Sequence, residues 1–159
     1  MDWKLKTFEE LTLNELYTIL QARTAVFVVE QECPYQEVDG KDIYCRHLFL
    51  EEEGRLLAYS RLVPPGVSYP EASIGRVIVD ASARGRGLAR ELMARSLKHL
   101  REDGHTRVKI QAQAYLHGFY GSFGFEPVSE VYDEDGIPHI DMVLDEQEQA
   151  LSGSPEQIK

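Results

Sequence analysis

With 159 residues, 43% of them hydrophobic, the chain is long enough for one domain with a full core, predicted here over residues 1–145 and followed by a polar tail at 146–159. Its formal net charge of −10 argues against general binding to nucleic acids or anionic membranes, and no apolar run approaches the roughly 20 residues of a membrane span. No signal-peptide region follows Met1, and Cys33 and Cys45 make neither a disulfide framework nor a Cys-x-x-Cys metal site, so we expect a soluble, cytoplasmic protein without a metal.

The chain is predicted to begin with a strand and a helix. Trp3 to Phe8 alternates between apolar and polar residues, as a half-buried strand does. Thr12 and Glu15 form a capping-box pair, in which each side chain can accept the backbone N–H of the other residue. Apolar residues then recur at helical spacing, so a helix is predicted from about Leu13 into the twenties.

A polar loop and three strands follow. Residues 30–43 lack periodicity and are rich in acids, which indicates an irregular connection. His47 to Glu51 and Leu56 to Val63 are predicted strands, joined in a hairpin by a turn at Glu53-Gly54. Ser73 to Val79 is the next predicted strand.

An amphipathic helix is predicted after residue 87. Its apolar side chains fall on one face and its basic side chains largely on the other, which is typical of a helix that is half-buried against a sheet. These two faces consist of Leu88, Leu92, Met93, Leu97 and Leu100, and of Arg90, Arg95, Lys98 and Arg101. Asp103-Gly104 predicts the end of the helix.

The last part of the chain returns to strands. Arg107 to Gln113 alternates and predicts a strand, and Tyr115 to Phe123 predicts a short helix. Val128 to Tyr132 and Ile140 to Leu144 are predicted to pair around a turn at Asp135-Gly136. Because helices interrupt a largely antiparallel set of strands, we predict a mixed α/β (α+β) fold, with a twisted sheet of six to seven strands and helices on both faces.

The glycine-rich segment before the amphipathic helix carries the clearest chemical signal. Val77 to Val79 leads to Arg84-Gly85-Arg86-Gly87 at the helix start, where backbone N–H groups are unpaired and the helix dipole is positive. Glycines let an anion approach this backbone, and the arginines add charge. From Arg84 to Lys109 there are eight Lys/Arg and three Asp/Glu on an otherwise acidic chain. A pyrophosphate suits such a site, and a solvated basic helix face is the alternative.

Two other phosphate-binding motifs fit this segment less well. The spacing Gly85-x-Gly87-x-x-Arg90 lacks the third glycine of a dinucleotide-binding turn. No Gly-Lys-Ser/Thr follows, which excludes a P-loop. A tight turn without a ligand stays open as an explanation of the two glycines.

Two motifs resemble those of the GNAT superfamily of acyl-CoA N-acyltransferases. Arg84 to Ala89 matches the coenzyme motif Arg/Gln-x-x-Gly-x-Gly/Ala after a strand and at a helix start, and Phe119 to Phe125 is similar to the family's Phe-Tyr-x-x-x-Gly-Phe element. From about Leu13 to Leu144, further segments resemble the ElaA-like branch. These segments include Ala25 to Gln31, Cys33 to Gln36, Asp39-Gly40, Gly75 to Val77, Gln111 to Ala114 and Gly136 to Ile140.

This resemblance implies an enzyme that moves an acetyl group from acetyl-CoA to a primary amine by direct transfer in a ternary complex. The fourth and fifth strands are expected to splay, and the backbone of Ile78 and Val79 to pair with the pantetheine arm between them. The pyrophosphate is expected on the N–H groups around Arg84, Gly85, Arg86, Gly87, Leu88 and Ala89. The oligomeric state is left open, with a homodimer among the alternatives.

The resemblance also suggests catalytic groups. Tyr120 would protonate the leaving thiolate, although a core aromatic is the alternative, and the N–H of Val79 would polarise the thioester carbonyl. The general base is not identified, because the segment from Ala72 to Val79 holds no carboxylate. Its candidates are Glu30, Asp39, Asp42, His47 and His139, with a water relay as the alternative to all of them.

The acceptor pocket is expected to form from the first helix, the loop from Glu30 to Asp42 and the closing strands. Acids in this loop would attract a cationic amine such as a polyamine, an amino sugar, a lysine-like amine or a protein N-terminus. A solvated acidic loop is the alternative. The predicted substrate residues are Glu30, Tyr35, Asp39, His47 and His139.

Two other functions stay open. A non-catalytic acyl-CoA sensor would need the coenzyme site but no base, which suits the missing strand carboxylate. A protein-interaction domain leaves the basic segment unexplained. The overall charge disfavours a nucleic-acid partner, and the absence of clustered ligands disfavours a metal enzyme. The expected partner is therefore a small-molecule or peptide amine acceptor.

Overall fold

One mixed sheet forms the centre of the computed structural model, which describes residues 2–146. Its strands are β1 (Asp2–Thr7), β2 (Arg46–Glu52), β3 (Arg55–Val63), β4 (Ala72–Val79), β5 (Arg107–Gln113), β6 (Glu126–Pro127), β7 (Tyr132–Glu134) and β8 (Ile137–Asp145). Its α-helices are α1 (Leu13–Thr24), α2 (Leu88–Glu102) and α3 (His117–Gly121). All of the predicted polar tail except Glu146 lies outside the described residues. None of the helices within residues 2–146 is long and apolar enough to cross a membrane.

The strands lie in the order β1-β2-β3-β4-β5-β8-β6, with β7 paired to β8. Every pair is antiparallel except β4 with β5. The predicted mixed, mostly antiparallel sheet is therefore confirmed. Within residues 2–146 it has eight strands rather than six to seven, because β6 is only two residues long and too short to show an alternating pattern.

The predicted strand from Val128 to Tyr132 is wrong over most of its length, since only Tyr132 belongs to β7. Upstream, the N–H of Val128 donates to the Asp141 carbonyl at 2.9 Å. The N–H of Asp141, however, donates to Ser129 Oγ at 3.0 Å. A side chain thus replaces the backbone carbonyl that a regular ladder would supply, and the strand is interrupted.

Helix α1 begins where the capping pair predicts. Thr12 Oγ1 accepts the N–H of Glu15 at 3.0 Å, and Glu15 Oε1 accepts the N–H of Thr12 at 2.9 Å. Lys6 and Lys4 of β1 bind the same carboxylate at 2.8 and 3.2 Å. Burial raises the pKa of Glu15, but the bonds from Lys6, Thr12 and Lys4 outweigh it and lower the pKa to about 2. The helix then continues into a π-helical turn over Ala25–Glu30.

Helices cover both faces of the sheet, as predicted. On one face, Ile19 of α1 clusters with Phe49, Tyr59 and Ile78. On the other, Leu92 of α2 clusters with Leu48, Leu50 and Ala58. Because successive residues of a strand point to opposite faces, Leu48 and Phe49 mark the two sides of β2.

Strands β4 and β5 separate soon after they begin. Their parallel pairing covers only two residue pairs, Ala72 with Val108 and Ser73 with Lys109. Strand β4 stays paired with β3 but carries a bulge at Arg76, whose φ of 52° lies in the left-handed region. The expected splay is thus present, and it leaves a gap in the middle of the sheet.

A buried set of ion pairs holds the loop between α1 and β2 against the sheet. Arg23 of α1 is 0% exposed and donates to Glu37 and to Asp42 at 2.6 Å each. Arg61 of β3 donates to Asp39 at 2.8 Å and to Asp42 at 3.0 Å. The loop is therefore attached by its carboxylates to a helix and to a strand.

Arg76 extends these contacts to β4, with its Nε 2.8 Å from Glu37 and its Nη2 3.3 Å from Asp39. We call the six residues the ion network: Arg23, Glu37, Asp39, Asp42, Arg61 and Arg76. Burial raises the pKa of the Asp42 carboxyl, but the hydrogen bond and charge of Arg23 outweigh it and hold the pKa below its usual value. This pair therefore stabilises the folded state at pH values above the ordinary carboxyl pKa of about 4. The stabilisation is lost as the pH falls through the lowered pKa of Asp42.

We expect Arg23→Ala to lower the free energy of unfolding by about 3–5 kcal/mol, because two buried carboxylates each lose a partner. Urea denaturation followed by circular dichroism at pH 7 measures this change. The control is Arg46→Ala, which breaks a partly exposed pair with Asp103 and is expected to cost less than about 1 kcal/mol. Equal losses in the two variants would contradict a structural role for the network.

Candidate active site

The gap between β4 and β5 opens into a cavity of about 810 Å³, called here the central cavity. Its walls come from the two separated strands, the π-helical turn after α1, the loop that carries the ion network, α3 and the turn between β7 and β8. One sheet defect therefore brings together segments from across the chain. Within residues 2–146, no group of three His, Cys, Asp or Glu side chains is arranged to hold a metal ion.

The glycine-rich segment lies at the end of β4 beside this cavity. Gly85 and Gly87 adopt φ values of 85° and 76°, which side chains other than glycine rarely take. Gly87 is the N-cap of α2 and supplies no side-chain cap. The first N–H groups of α2 have no partner within the helix, so they are available to an external acceptor. The segment has the geometry of an anion-binding helix start.

Eight residues were predicted from the sequence to bind the coenzyme, and they differ in their position relative to the central cavity. Side chains or backbone of four of them line the central cavity, namely Ile78, Val79, Arg84 and Ala89. The exposed residues Gly85, Arg86 and Gly87 lie on the loop just outside it. The Leu88 side chain is buried with Leu92, so Leu88 can offer only its backbone.

The hydrogen-bond alternation of β4 distinguishes Val79 from Ile78. The N–H of Asp80 donates to the Leu57 carbonyl at 2.8 Å, and Val79 lies opposite Ala58 in the next pair. Antiparallel pairs alternate between hydrogen-bonded and open, so Val79 directs its N–H and carbonyl away from β3, toward the gap. Ile78 directs its own groups toward β3. The backbone pairing expected of both residues is therefore available only at Val79.

Arg84 is held in place at the mouth of the cavity. Its Nε donates to the Val79 carbonyl at 3.1 Å, and its Nη2 lies 3.3 Å from both carboxylate oxygens of Glu30. Both side chains of this pair are about half exposed, at 46% and 52%. A more highly charged anion could displace the carboxylate partner of this half-exposed guanidinium.

Tyr120 lies on α3 and lines the central cavity with an exposure of 8%. Phe119 and Phe125 contact its ring edge-on, at 5.2 and 6.2 Å between centroids. Burial, assisted by Tyr115, raises the pKa of Tyr120 to about 12, so the phenol keeps its proton at neutral pH. No group in residues 2–146 forms a hydrogen bond with its hydroxyl. The residue therefore offers a free proton donor to the cavity.

The acidic loop does not present the negative charge that the sequence suggested. Asp39 lines the cavity, but Arg61 and Arg76 bind it. Burial raises the pKa of Asp39, but the contacts with these arginines outweigh burial and hold the pKa below its usual value. The Tyr35 hydroxyl donates to Glu37, and the pKa of Tyr35 is raised by burial and by this bond. The sequence left two alternatives for the loop acids, which were a pocket that attracts a cationic amine and a loop exposed to solvent. Both are wrong for Glu37, Asp39 and Asp42, because arginines from distant segments neutralise these three carboxylates.

The two histidines predicted at the site have different surroundings. His47 is 0% exposed, lies 2.7 Å through Nδ1 from the Tyr59 hydroxyl and 3.0 Å through Nε2 from the Asp42 carbonyl, and is absent from the cavity wall. Burial lowers its pKa. It is a structural residue rather than a base. His139 lines the central cavity.

Two arginines that sequence reasoning did not assign to the site line the cavity, Arg61 and Arg76. Arg61 Nε is buried and has no hydrogen-bond partner within residues 2–146. The sequence did contain a sign that Arg61 has a partner, because it lies within the apolar run of β3 and a charge buried in a strand requires a partner. For Arg76 the sequence contains no comparable signal, because its contacts depend on the bulge.

Comparisons with known proteins agree with this fold. A family model described as an acetyltransferase (GNAT) domain matches residues 11–146. The Escherichia coli K12 protein ElaA is 43% identical over 145 residues, which cover 89% of this chain and 95% of ElaA. A crystal structure of an acyl-CoA N-acyltransferase from Pseudomonas aeruginosa is 50% identical with a TM-score of 0.86, covering 90% and 98% of the two chains. The crystal structure of E. coli ElaA gives 42% identity and a TM-score of 0.85, covering 91% and 99%.

We expect Gly87→Ala to lower the free energy of unfolding by about 1–2 kcal/mol, because the left-handed conformation strains any Cβ. An added Cβ meets no atom within 4 Å there, so the backbone alone decides the effect. Gly118→Ala in α3 is the control: its Cβ also meets nothing within 4 Å, and the substitution is expected to be neutral or to stabilise by up to about 1 kcal/mol. Thermal or urea unfolding compares them, and equal effects would contradict the assigned geometry.

Proposed function

The chain belongs to the GNAT acetyltransferase family, in its ElaA-like branch, and we propose that it moves an acetyl group from acetyl-CoA to a primary amine by direct transfer in a ternary complex. The observation that carries the proposal is the central cavity. It has an uncapped, glycine-led helix start at one end and the protonated hydroxyl of Tyr120 in its wall. Membership of the family gives acyl-CoA transfer; the acetyl group and the amine are our proposal.

The pyrophosphate of the coenzyme is assigned to the loop between β4 and α2. The N–H groups from Gly85 to Ala89 donate to it, and Arg84 and Arg86 add positive charge. The available geometry supports this assignment, since Gly87 leaves the first N–H groups of α2 uncapped. Binding requires Arg84 to exchange the carboxylate of Glu30 for a phosphate.

The pantetheine arm and the thioester are assigned to the gap between β4 and β5. Val79 offers one N–H and one carbonyl there. Strand β5, which would otherwise form hydrogen bonds with these groups, has already separated from β4. The N–H of Val79 then stabilises the negative charge that develops on the thioester oxygen during attack. The carbonyl of Val79 is released for pairing when Arg84 moves to the phosphates.

Tyr120 is assigned the role of acid toward the leaving sulfur. A phenol with a pKa of about 12 stays protonated at neutral pH. It can give its proton to a thiolate as the carbon–sulfur bond breaks, and regain one from the nitrogen or from water. The surrounding rings of Phe119 and Phe125 fix its orientation.

A non-catalytic acyl-CoA-binding module is the second candidate, favoured by the absence of a carboxylate in β4. It would bind the coenzyme in the same way. The two functions differ in turnover: binding without thiol release on a panel of amines would support the sensor.

We expect Arg84→Glu to weaken acetyl-CoA binding by about a hundredfold, because charge-assisted phosphate contacts are each worth about 1.5–3 kcal/mol. Glu30→Gln should tighten binding by about 1.5- to 5-fold, since it removes the competing half-exposed partner of Arg84. Isothermal titration calorimetry measures both changes. Lys98→Glu, on the exposed side of α2, makes the same charge change elsewhere and serves as the control. If Arg84→Glu binds as the wild type does, the proposed coenzyme site is wrong.

Tyr120→Phe should leave the Kd of acetyl-CoA within about twofold and lower kcat by about a hundredfold, because only the proton donor is removed. The measurement is thiol release at saturating amine. Tyr115→Phe is the matched control, since Tyr115 also lines the cavity but is 78% exposed. An unchanged kcat in Tyr120→Phe would reject Tyr120 as the acid.

A further inference from the structure

Acyl transfer to an amine needs a group that takes a proton from nitrogen, and few groups in the central cavity can do so at neutral pH. Asp39 is bound by two arginines, and the side chain of Glu30 is 52% exposed beside Arg84, at the end of the cavity assigned to the phosphates. The cavity-lining cysteine is kept as a thiol, because burial raises the pKa of Cys33. Burial likewise raises the pKa of each tyrosine with a resolved shift in the cavity wall, Tyr35, Tyr69 and Tyr120.

Besides Lys41, Tyr115 and the arginines, the cavity wall holds three further titratable groups, His139, Glu134 and Asp135. Glu134, the last residue of β7, and Asp135 of the following turn are exposed, and Glu134 accepts a hydrogen bond from Gln111. Among residues 2–146, His139 is the single histidine of the cavity wall and is only partly exposed. An imidazole exchanges protons between about pH 5 and 8, which suits a base that must act near neutrality.

The hydrogen bonds of His139 determine which nitrogen is free. Its Nδ1 lies 2.8 Å from the carbonyl oxygen of Ile137. A carbonyl can only accept, so Nδ1 carries the proton and the neutral ring has its lone pair on Nε2. No group in the described part of the chain bonds to Nε2. The histidine is thus in the tautomer that a proton acceptor needs.

Neighbouring side chains hold the ring in place. Tyr132 stacks on His139, with 6.4 Å between centroids and 28° between planes. The Tyr132 hydroxyl donates to Asp141 at 2.5 Å and accepts from Gln111 at 2.9 Å, so it cannot rotate freely. His139 also lies opposite Gln113 of β5, the last residue before the segment that leads into α3 and Tyr120. The imidazole and the phenol therefore reach one cavity from adjoining elements.

We propose that Nε2 of His139 is the general base, taking a proton from the acceptor amine directly or through one water; this rests on the proposed function. The neutral nitrogen attacks the thioester carbon, a carbon–nitrogen bond forms and the carbon–sulfur bond breaks. The ammonium loses two protons in all. One reaches the sulfur by way of Tyr120, and the other passes from His139 to solvent, so amide, thiol and one proton are the products.

Several charged and titratable groups surround this histidine in the cavity wall and on the strands packed against it. They are Tyr132 and Glu134 of β7, Asp135 of the following turn, Asp141 of β8, Lys109 of β5, and Cys33, Tyr35 and Asp39 of the loop. Arginines neutralise Asp39, and Lys109 is paired with Asp141.

The test uses the full chain and His139→Gln, with thiol release measured from pH 5.5 to 9. The acceptor panel is spermidine, glucosamine, lysine and a short peptide with a free N-terminus. At pH 7 we expect kcat/KM for the best acceptor to fall about a hundredfold and the limb near neutral pH to disappear. The Kd of acetyl-CoA should stay within about twofold. His105→Gln, a histidine outside the cavity wall, is the control and should keep the wild-type profile.

A second variant separates chemistry from structure. His139→Ala should be rescued at least severalfold by added imidazole, whereas a folding defect would not be; circular dichroism of both variants checks the fold. A wild-type rate in His139→Gln, or a lower rate with an unchanged pH profile and no rescue, would overturn the role of His139. A wild type that releases no thiol with any amine of the panel would instead reject the proposed function.

Discussion

The pairing of three carboxylates, two of them buried, with three arginines is the constraint on which the site depends. In the loop between α1 and β2 the apolar side chains of Val38 and Ile43 are exposed, yet Glu37 and Asp42 are only 4% and 5% exposed. Carboxylates can be buried in this way only with charged partners at hydrogen-bond distance. Arg23, Arg61 and Arg76 supply them from a helix and two strands. The network therefore determines where the loop lies, and the loop forms one wall of the cavity.

The same network acts on the strand that borders the gap. Arg76 takes a left-handed φ of 52° in the bulge of β4 and binds Glu37 and Asp39 from that position. A non-glycine residue keeps such a conformation only when its surroundings over-determine it. The bulge shifts the register of β4 against β3, and after it Val79 directs its backbone groups into the space that β5 has left. Loop attachment, strand distortion and an open backbone edge are thus physically linked.

Charge is distributed differently in space from its distribution along the chain. The sequence shows an acidic loop and a basic helix, but arginines neutralise three of the loop acids, Glu37, Asp39 and Asp42, and Arg84 is paired with Glu30. What remains at the cavity is a helix start without a cap, a protonated phenol and an imidazole with a free nitrogen. Directed dipoles and proton donors and acceptors, rather than net charge, are the features that this cavity offers to a ligand.

The sequence alone determined the features that depend on neighbouring residues. The capping pair of Thr12 and Glu15, the glycine-led start of α2 and most strand bounds are local, because period and turn chemistry act within a few residues. The tertiary structure decided which acids are neutral, which histidine faces the cavity and which way Val79 directs its backbone. These depend on contacts such as Arg76 with Glu37, 39 positions apart, and no local pattern records a partner at that distance.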